Sequence, residues 1–147
     1  RLARRRQLLV VCYHGLAEDD APLAHWLLVR RRAFAEQIAF LARHYECLPV
    51  DEALARLWSG RLTRPTACVT FDDGYASNAS IGLPVLARHG VPATIYLATG
   101  LIGTEARLWT MTVELAVWRT PRRAVDLEWL GLGMLALDAD ASGHSPQ

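Results

Sequence analysis

Val69-Thr70-Phe71-Asp72-Asp73-Gly74-Tyr75 sets two adjacent carboxylates at the end of an apolar run. Ala67-Cys68-Val69-Thr70-Phe71 has the length and the β-branched and aromatic content of a buried strand, with no charge before Asp72. In α/β folds the carboxyl ends of such strands are where ligands bind and catalytic side chains gather. Gly74 permits a sharp turn or a close backbone approach directly after the acids. Adjacent like charges repel, so the pair calls for a nearby cation or for uptake of a proton. A metal held by one carboxylate, with the other acting as a base, answers both demands. The bland alternative is an exposed loop whose acids cap the next helix.

Outward from this block the chain reads β-α-α-β-α-β. Leu8 to Cys12 forms a first strand, followed by a polar turn from Glu18 to Pro22. Phe34, Ile38 and Leu41 recur at helical spacing, with Ala35, Ala39 and Ala42 allowing close packing. Asp51 is placed to cap a second helix with Leu54, Leu57 and Trp58 on its apolar face, and Gly60 to end it. Residues 61–65 are a linker before the strand that carries the acids. Asn78 or Ser80 can start a third helix, Pro84 suits its first stable turn, and Gly90 lies past its end. Val91 to Ala98 reads as a further strand, and Leu108 to Trp118 as an amphipathic helix. Strands alternating with helices imply an α/β fold with a parallel sheet.

Composition narrows the function classes. The chain has 147 residues, is 52% hydrophobic and 21% charged, and can bury a real core. A net charge of +1 argues against nucleic-acid binding by bulk electrostatics. Arg1, Arg4, Arg5 and Arg6, and the run Arg30-Arg31-Arg32, read as solvated surface. No apolar run approaches the ~18 residues of a transmembrane helix. The basic start before Leu8 mimics a signal peptide, but the apolar stretch is short and Tyr13-His14 replaces a cleavage site. No convincing export signal is visible, and the cytoplasm is the default expectation. Cys12, Cys47 and Cys68 are odd in number and widely spaced, which suggests reduced core thiols instead of a disulfide frame or a zinc ribbon.

Thr70-Phe71-Asp72-Asp73-Gly74-Tyr75 resembles the first motif of the NodB-homology polysaccharide deacetylases, metal-dependent hydrolases that remove acetyl groups from N-acetylated sugars. Val11-Cys12-Tyr13-His14-Gly15 resembles the first strand and Tyr-His turn of one branch of that family. Phe34 to Leu41 and Leu48-Pro49-Val50-Asp51-Glu52-Ala53-Leu54 resemble its first two helices. Residues 83–100 resemble the helix and strand that follow the acid motif. The resemblance covers roughly residues 8–110. It implies a distorted (β/α) barrel with its site at the carboxyl-end face, of which about three strands are supplied here. A barrel of that kind takes ~200 or more residues, so the chain has the look of a first half. The implied division is a partial deacetylase domain at residues 8–118 and an unmatched segment at 119–147.

By resemblance Asp72 is the general base and Asp73 a ligand of a divalent metal, zinc by the chemistry of amide hydrolysis. Tyr75 and His14 would line the substrate site, and the partner is an N-acetylated carbohydrate. The family's other two ligands are histidines four residues apart in a later motif. The five histidines here, His14, His25, His44, His89 and His144, include no such pair. His44 and His89 sit at helix carboxyl ends, where a cation suits the dipole. The ligand set is therefore expected to be incomplete and the activity of this chain impaired. A truncated or frameshifted gene would give this pattern, as would a diverged protein that lost its metal site. A haloacid-dehalogenase phosphatase fails on spacing, because it needs Asp-x-Asp. The competing readings are a non-catalytic carbohydrate-binding form of the same scaffold and a degenerate fragment with open sheet edges. The five tryptophans, Trp26, Trp58, Trp109, Trp118 and Trp129, read chiefly as core residues.

Overall fold

The computed structural model describes residues 7–21 and 27–137. The Arg1 to Arg6 cluster, Pro22, His25, Trp26, His144 and the tail from Asp138 lie outside the described residues. The described chain divides into two compact units, one up to Ala98 and one from Thr99.

The first unit is organised by the strand that carries the acids, β5 (Thr66–Phe71), which is buried at every position. β1 (Leu8–Tyr13) runs parallel to it in the register Leu8↔Thr66 through Tyr13↔Phe71. Along its other edge lie β4 (Glu46–Cys47), paired at Thr66 and Ala67, and β6 (Ala93–Ile95), paired at Val69 to Phe71. All these pairings are parallel, as expected, so helices must carry the chain back between strands. Those helices are α1 (Arg31–His44), α2 (Val50–Trp58) and α3 (Leu83–His89). Side-chain alternation then divides β5. Ala67, Val69 and Phe71 pack with Tyr13, Phe34, Ile38, Leu41, Val85, Leu86 and Val91 in the main core. Cys68 faces the other way, onto Leu48 and Ala53. Burial on both faces is why β5 reads as a continuous apolar run.

α1 buries Phe34, Ile38 and Leu41, as their spacing implies. In the arginine run Arg30 is half-buried and Arg31 and Arg32 are exposed, and all three are bonded. Arg30 donates to the Glu18 and Ala21 carbonyls at 2.8 and 2.6 Å, and Arg32 pairs with Glu36 at 3.1 Å. Asp19 accepts the Arg32 backbone N–H at 3.0 Å, satisfying a donor that the first turn of a helix leaves open. The second helix departs from expectation. It begins at Val50 after Pro49 without a side-chain cap, and its buried residue is Ala53. Trp58, its last residue, is 79% exposed. α3 carries Pro84 in its first turn and ends at Gly90 with φ +62°, as expected. Before it, Asn78–Gly82 form a wider π-type turn, and neither Asn78 nor Ser80 acts as a cap. Gly82 lies against β2 (Gly15–Ala17): an added Cβ would meet Leu16 Cδ1 at 3.2 Å. β2 pairs in parallel with β3 (Leu28–Arg30), a short pairing not anticipated from sequence. β6 ends at Ile95, well short of the strand expected to reach Ala98.

The second unit contains α4 (Trp109–Arg119), close to the helix expected there. It also holds an antiparallel pair, β7 (Ala124–Asp126) with β8 (Met134–Ala136). No described residue beyond Val91 is buried. Trp109 and Trp129 are 76% and 79% exposed, so with Trp58 they overturn the expectation of core tryptophans. Helical spacing of apolar residues marks a face but supplies no opposing layer to bury it. No helix among the described residues is long and apolar enough to cross a membrane.

Tyr13 links the core to a pH dependence. Its ring packs edge-on against Phe34 at 5.0 Å, its hydroxyl donates to Gln37 Oε1 at 2.8 Å, and burial raises its pKa above the ordinary 10.0. A group with a raised native pKa contributes stability that is intact below its unfolded value and is lost as pH climbs towards the native one. Stability to urea is therefore expected to fall above about pH 10, and Tyr13→Phe should flatten that fall. An unchanged slope in the variant would remove Tyr13 from the account.

Candidate functional site

The carboxyl ends of β1, β5 and β6 meet at the acid turn. The Asp72 N–H donates to the Tyr13 carbonyl at 2.9 Å, continuing the β1–β5 ladder by one residue. The Tyr96 N–H donates to the Phe71 carbonyl at 2.8 Å from the other side. Directly beyond these anchors the chain reverses. The Gly74 N–H donates to the Asp72 carbonyl at 2.9 Å, closing a three-residue turn centred on Asp73. Asp73 has φ +68°, the one left-handed non-glycine backbone among the described residues. Such a conformation costs about 1–3 kcal/mol and persists where the surroundings enforce it, a pattern that collects at functional sites. Both acids are half-buried.

Gly74 is required twice over. Its φ is +73°, and an added Cβ would stand 2.6 Å from Leu97 Cδ2. Gly74→Ala is expected to destabilise by more than about 1 kcal/mol, read as a lower urea midpoint at unchanged slope. A neutral result would show that the turn relaxes freely.

The structure brings the expected site residues to this end of the sheet. His14 follows Tyr13 at the β1–β2 junction and is half-buried. The Tyr75 ring lies over Gly15, with its Cδ1 3.3 Å from where a Cβ would sit. Ser77 Oγ accepts the Leu16 N–H at 2.9 Å and ties the segment after the acids to β2. Cys12 was expected in the core. It is exposed instead, and its thiol donates to Asp72 Oδ2 at 3.4 Å. Burial and, after it, the Asp72 carboxylate push the Cys12 thiol pKa up. The missed signal was register: Cys12 pairs with Thr70, which shares a face of β5 with Asp72.

A family model for polysaccharide deacetylase matches residues 59–125, a span that contains the acid turn. YxkH of Bacillus subtilis (strain 168), a protein named for the polysaccharide deacetylases, is 28% identical over 104 residues, 69% of this chain and 36% of its own length. The chain resembles the polysaccharide deacetylases in both sequence and fold. Its fold is likewise that of solved deacetylases. Deacetylase PplD of Streptococcus pyogenes, in complex with acetate, superposes with a TM-score of 0.59 at 25% identity, over 69% of this chain and 47% of that one. IcaB of Ammonifex degensii gives 0.58 at 28% identity, over 68% of this chain and 42% of that one. The chain thus spans less than half the length of each relative. Its parallel sheet is part of a distorted (β/α) barrel, and no closed barrel forms among the described residues.

A deacetylase metal needs a donor set, and the described residues do not assemble one. No three of His, Cys, Asp and Glu among them stand close enough to hold an ion. Catalytic zinc takes three protein ligands, and Asp72 and Asp73, even with Cys12 beside Asp72, do not form such a set. The described residues therefore do not fit a complete metal centre.

Proposed function

We propose that the acid turn is the general-base part of a carbohydrate N-deacetylase site, within a deacetylase module at residues 8–118 followed by a further segment at 119–147. The observation that carries this reading is the pair of half-buried carboxylates at the end of a fully buried central strand, held in a strained turn. The Asp72 carboxylate takes a proton from water as the water oxygen attacks the acetyl carbonyl carbon. The tetrahedral intermediate then collapses: the C–N bond breaks, the proton passes to the departing nitrogen, and acetate and a free amino sugar result. His14 and Tyr75, at the same end of the sheet, line the approach of the sugar. The family is generally metal-dependent, and Asp73 is the residue that offers a carboxylate to a divalent ion, zinc by preference. With the remaining ligands not gathered among the described residues, zinc binding is weak and the activity of this chain by itself is impaired.

The test is acetate release from an N-acetylated oligosaccharide with added zinc and with a chelator. Low release that rises with zinc is the expected result. A rate indifferent to both would overturn metal dependence. Oligosaccharide binding with no release at any zinc concentration would assign the chain to the non-catalytic, carbohydrate-binding form of the scaffold.

A further inference from the structure

Cys12 is the side chain at the acid turn that the proposed reaction leaves unused. Its strand position explains its reach, because Cys12 sits opposite Thr70 and Thr70 shares a face with Asp72. The Thr70 hydroxyl donates to the Val11 carbonyl at 3.3 Å and also lies beside the Cys12 sulfur. The Cys12 sulfur lies 3.4 Å from Asp72 Oδ2 and 3.6 Å from the Tyr13 carbonyl oxygen. A thiol has one proton, so it serves one of these acceptors at a time. The Tyr13 carbonyl already accepts the Asp72 N–H at 2.9 Å, and an ionised carboxylate is the stronger acceptor. The raised thiol pKa keeps the donor protonated near neutral pH. β1 therefore grips Asp72 at two points, the backbone through Tyr13 and the carboxylate through Cys12.

We propose that Cys12 is a positioning residue, whose thiol holds Asp72 in one rotamer with Oδ2 engaged and Oδ1 turned to the attacking water. A thiol suits the task because it is a weak donor: it orients the carboxylate while leaving it basic. The catalytic consequence rests on Asp72 being the general base, but the contact itself does not.

Two variants separate these points. Cys12→Val removes the donor and places a strong strand former at an exposed strand position, and Cys12→Ser restores a donor. Three-bond couplings in NMR spectra of the full chain report the Asp72 χ1 distribution directly. A single rotamer is expected in the native chain and in Cys12→Ser, with rotamer averaging in Cys12→Val. In the zinc-supplemented acetate assay Cys12→Val should lose about tenfold in kcat at unchanged KM, with recovery in Cys12→Ser. Asp72 couplings that ignore Cys12→Val would overturn the proposal whether or not the chain is active. So would an unchanged kcat in a protein that Asp72→Asn inactivates. Full activity of Asp72→Asn would instead overturn the base assignment and leave the coupling result standing.

Discussion

Asp72→Asn is expected to lower acetate release by about 10²–10⁴-fold, the range for loss of a positioned general base. In barrier terms that is about 3–5 kcal/mol. The substitution keeps the side-chain shape and leaves the backbone anchor untouched, since the Asp72 N–H to Tyr13 carbonyl bond does not involve the carboxylate. The amide oxygen of Asn can still accept the Cys12 thiol. Folding should therefore change by no more than about 0.5 kcal/mol, the usual range for substitutions away from core and caps. Removing one of two adjacent like charges, if anything, eases the turn. The measurement is kcat/KM for an N-acetylated oligosaccharide in zinc-supplemented buffer, beside a urea melt of each protein. A large loss of rate at constant stability separates a base from a structural acid. An unchanged rate would remove Asp72 from the chemistry and return the pair to the role of a loop.

How far the sequence disclosed this arrangement depended on how local each determinant is. β5 was legible because a strand covered on both faces carries no charge at any position, and Asp72 ends that run abruptly. α1 was legible because Phe34, Ile38 and Leu41 lie on one stripe with a core opposite. Gly90 announced its helix end because few residues other than glycine adopt φ +62°. The failures share a cause, since each depended on a partner remote in sequence. Trp58 lies on the predicted apolar stripe of α2, but the strand beneath reaches only to Ala53 and Val50. The β2–β3 pairing joins segments too short to carry a pattern. Cys12 reads as one more small apolar residue in a strand until the register of β1 on β5 sets it opposite Thr70, on the Asp72 face. The acids were readable as a site. The thiol that grips one of them was not, because register is a property of two strands.

Phe71→Ala should be the most damaging single change to the first unit, at about 3–5 kcal/mol. Phe71 is fully buried on β5, immediately before the acids. Its ring lies 5.6 Å from Tyr13 and 5.8 Å from Phe34, and Tyr13 and Phe34 meet at 5.0 Å, so three aromatics from β1, α1 and β5 close one cluster. Truncation leaves a void that neighbours on three different elements cannot fill by a common movement, and such voids add to the lost transfer energy. Against a total stability of about 5–15 kcal/mol for a domain, that is enough to populate the unfolded state visibly at room temperature. Trp58→Ala is the matched control: a larger side chain is removed, but from a position 79% exposed, and a cost within about 0.5 kcal/mol is expected. Urea melts of the two variants against the native chain decide the matter. If Phe71→Ala lost no more than Trp58→Ala, the aromatic cluster would not be the support of the acid turn. A loss of the expected size would make the same core that folds the unit the platform on which Asp72 and Asp73 are held.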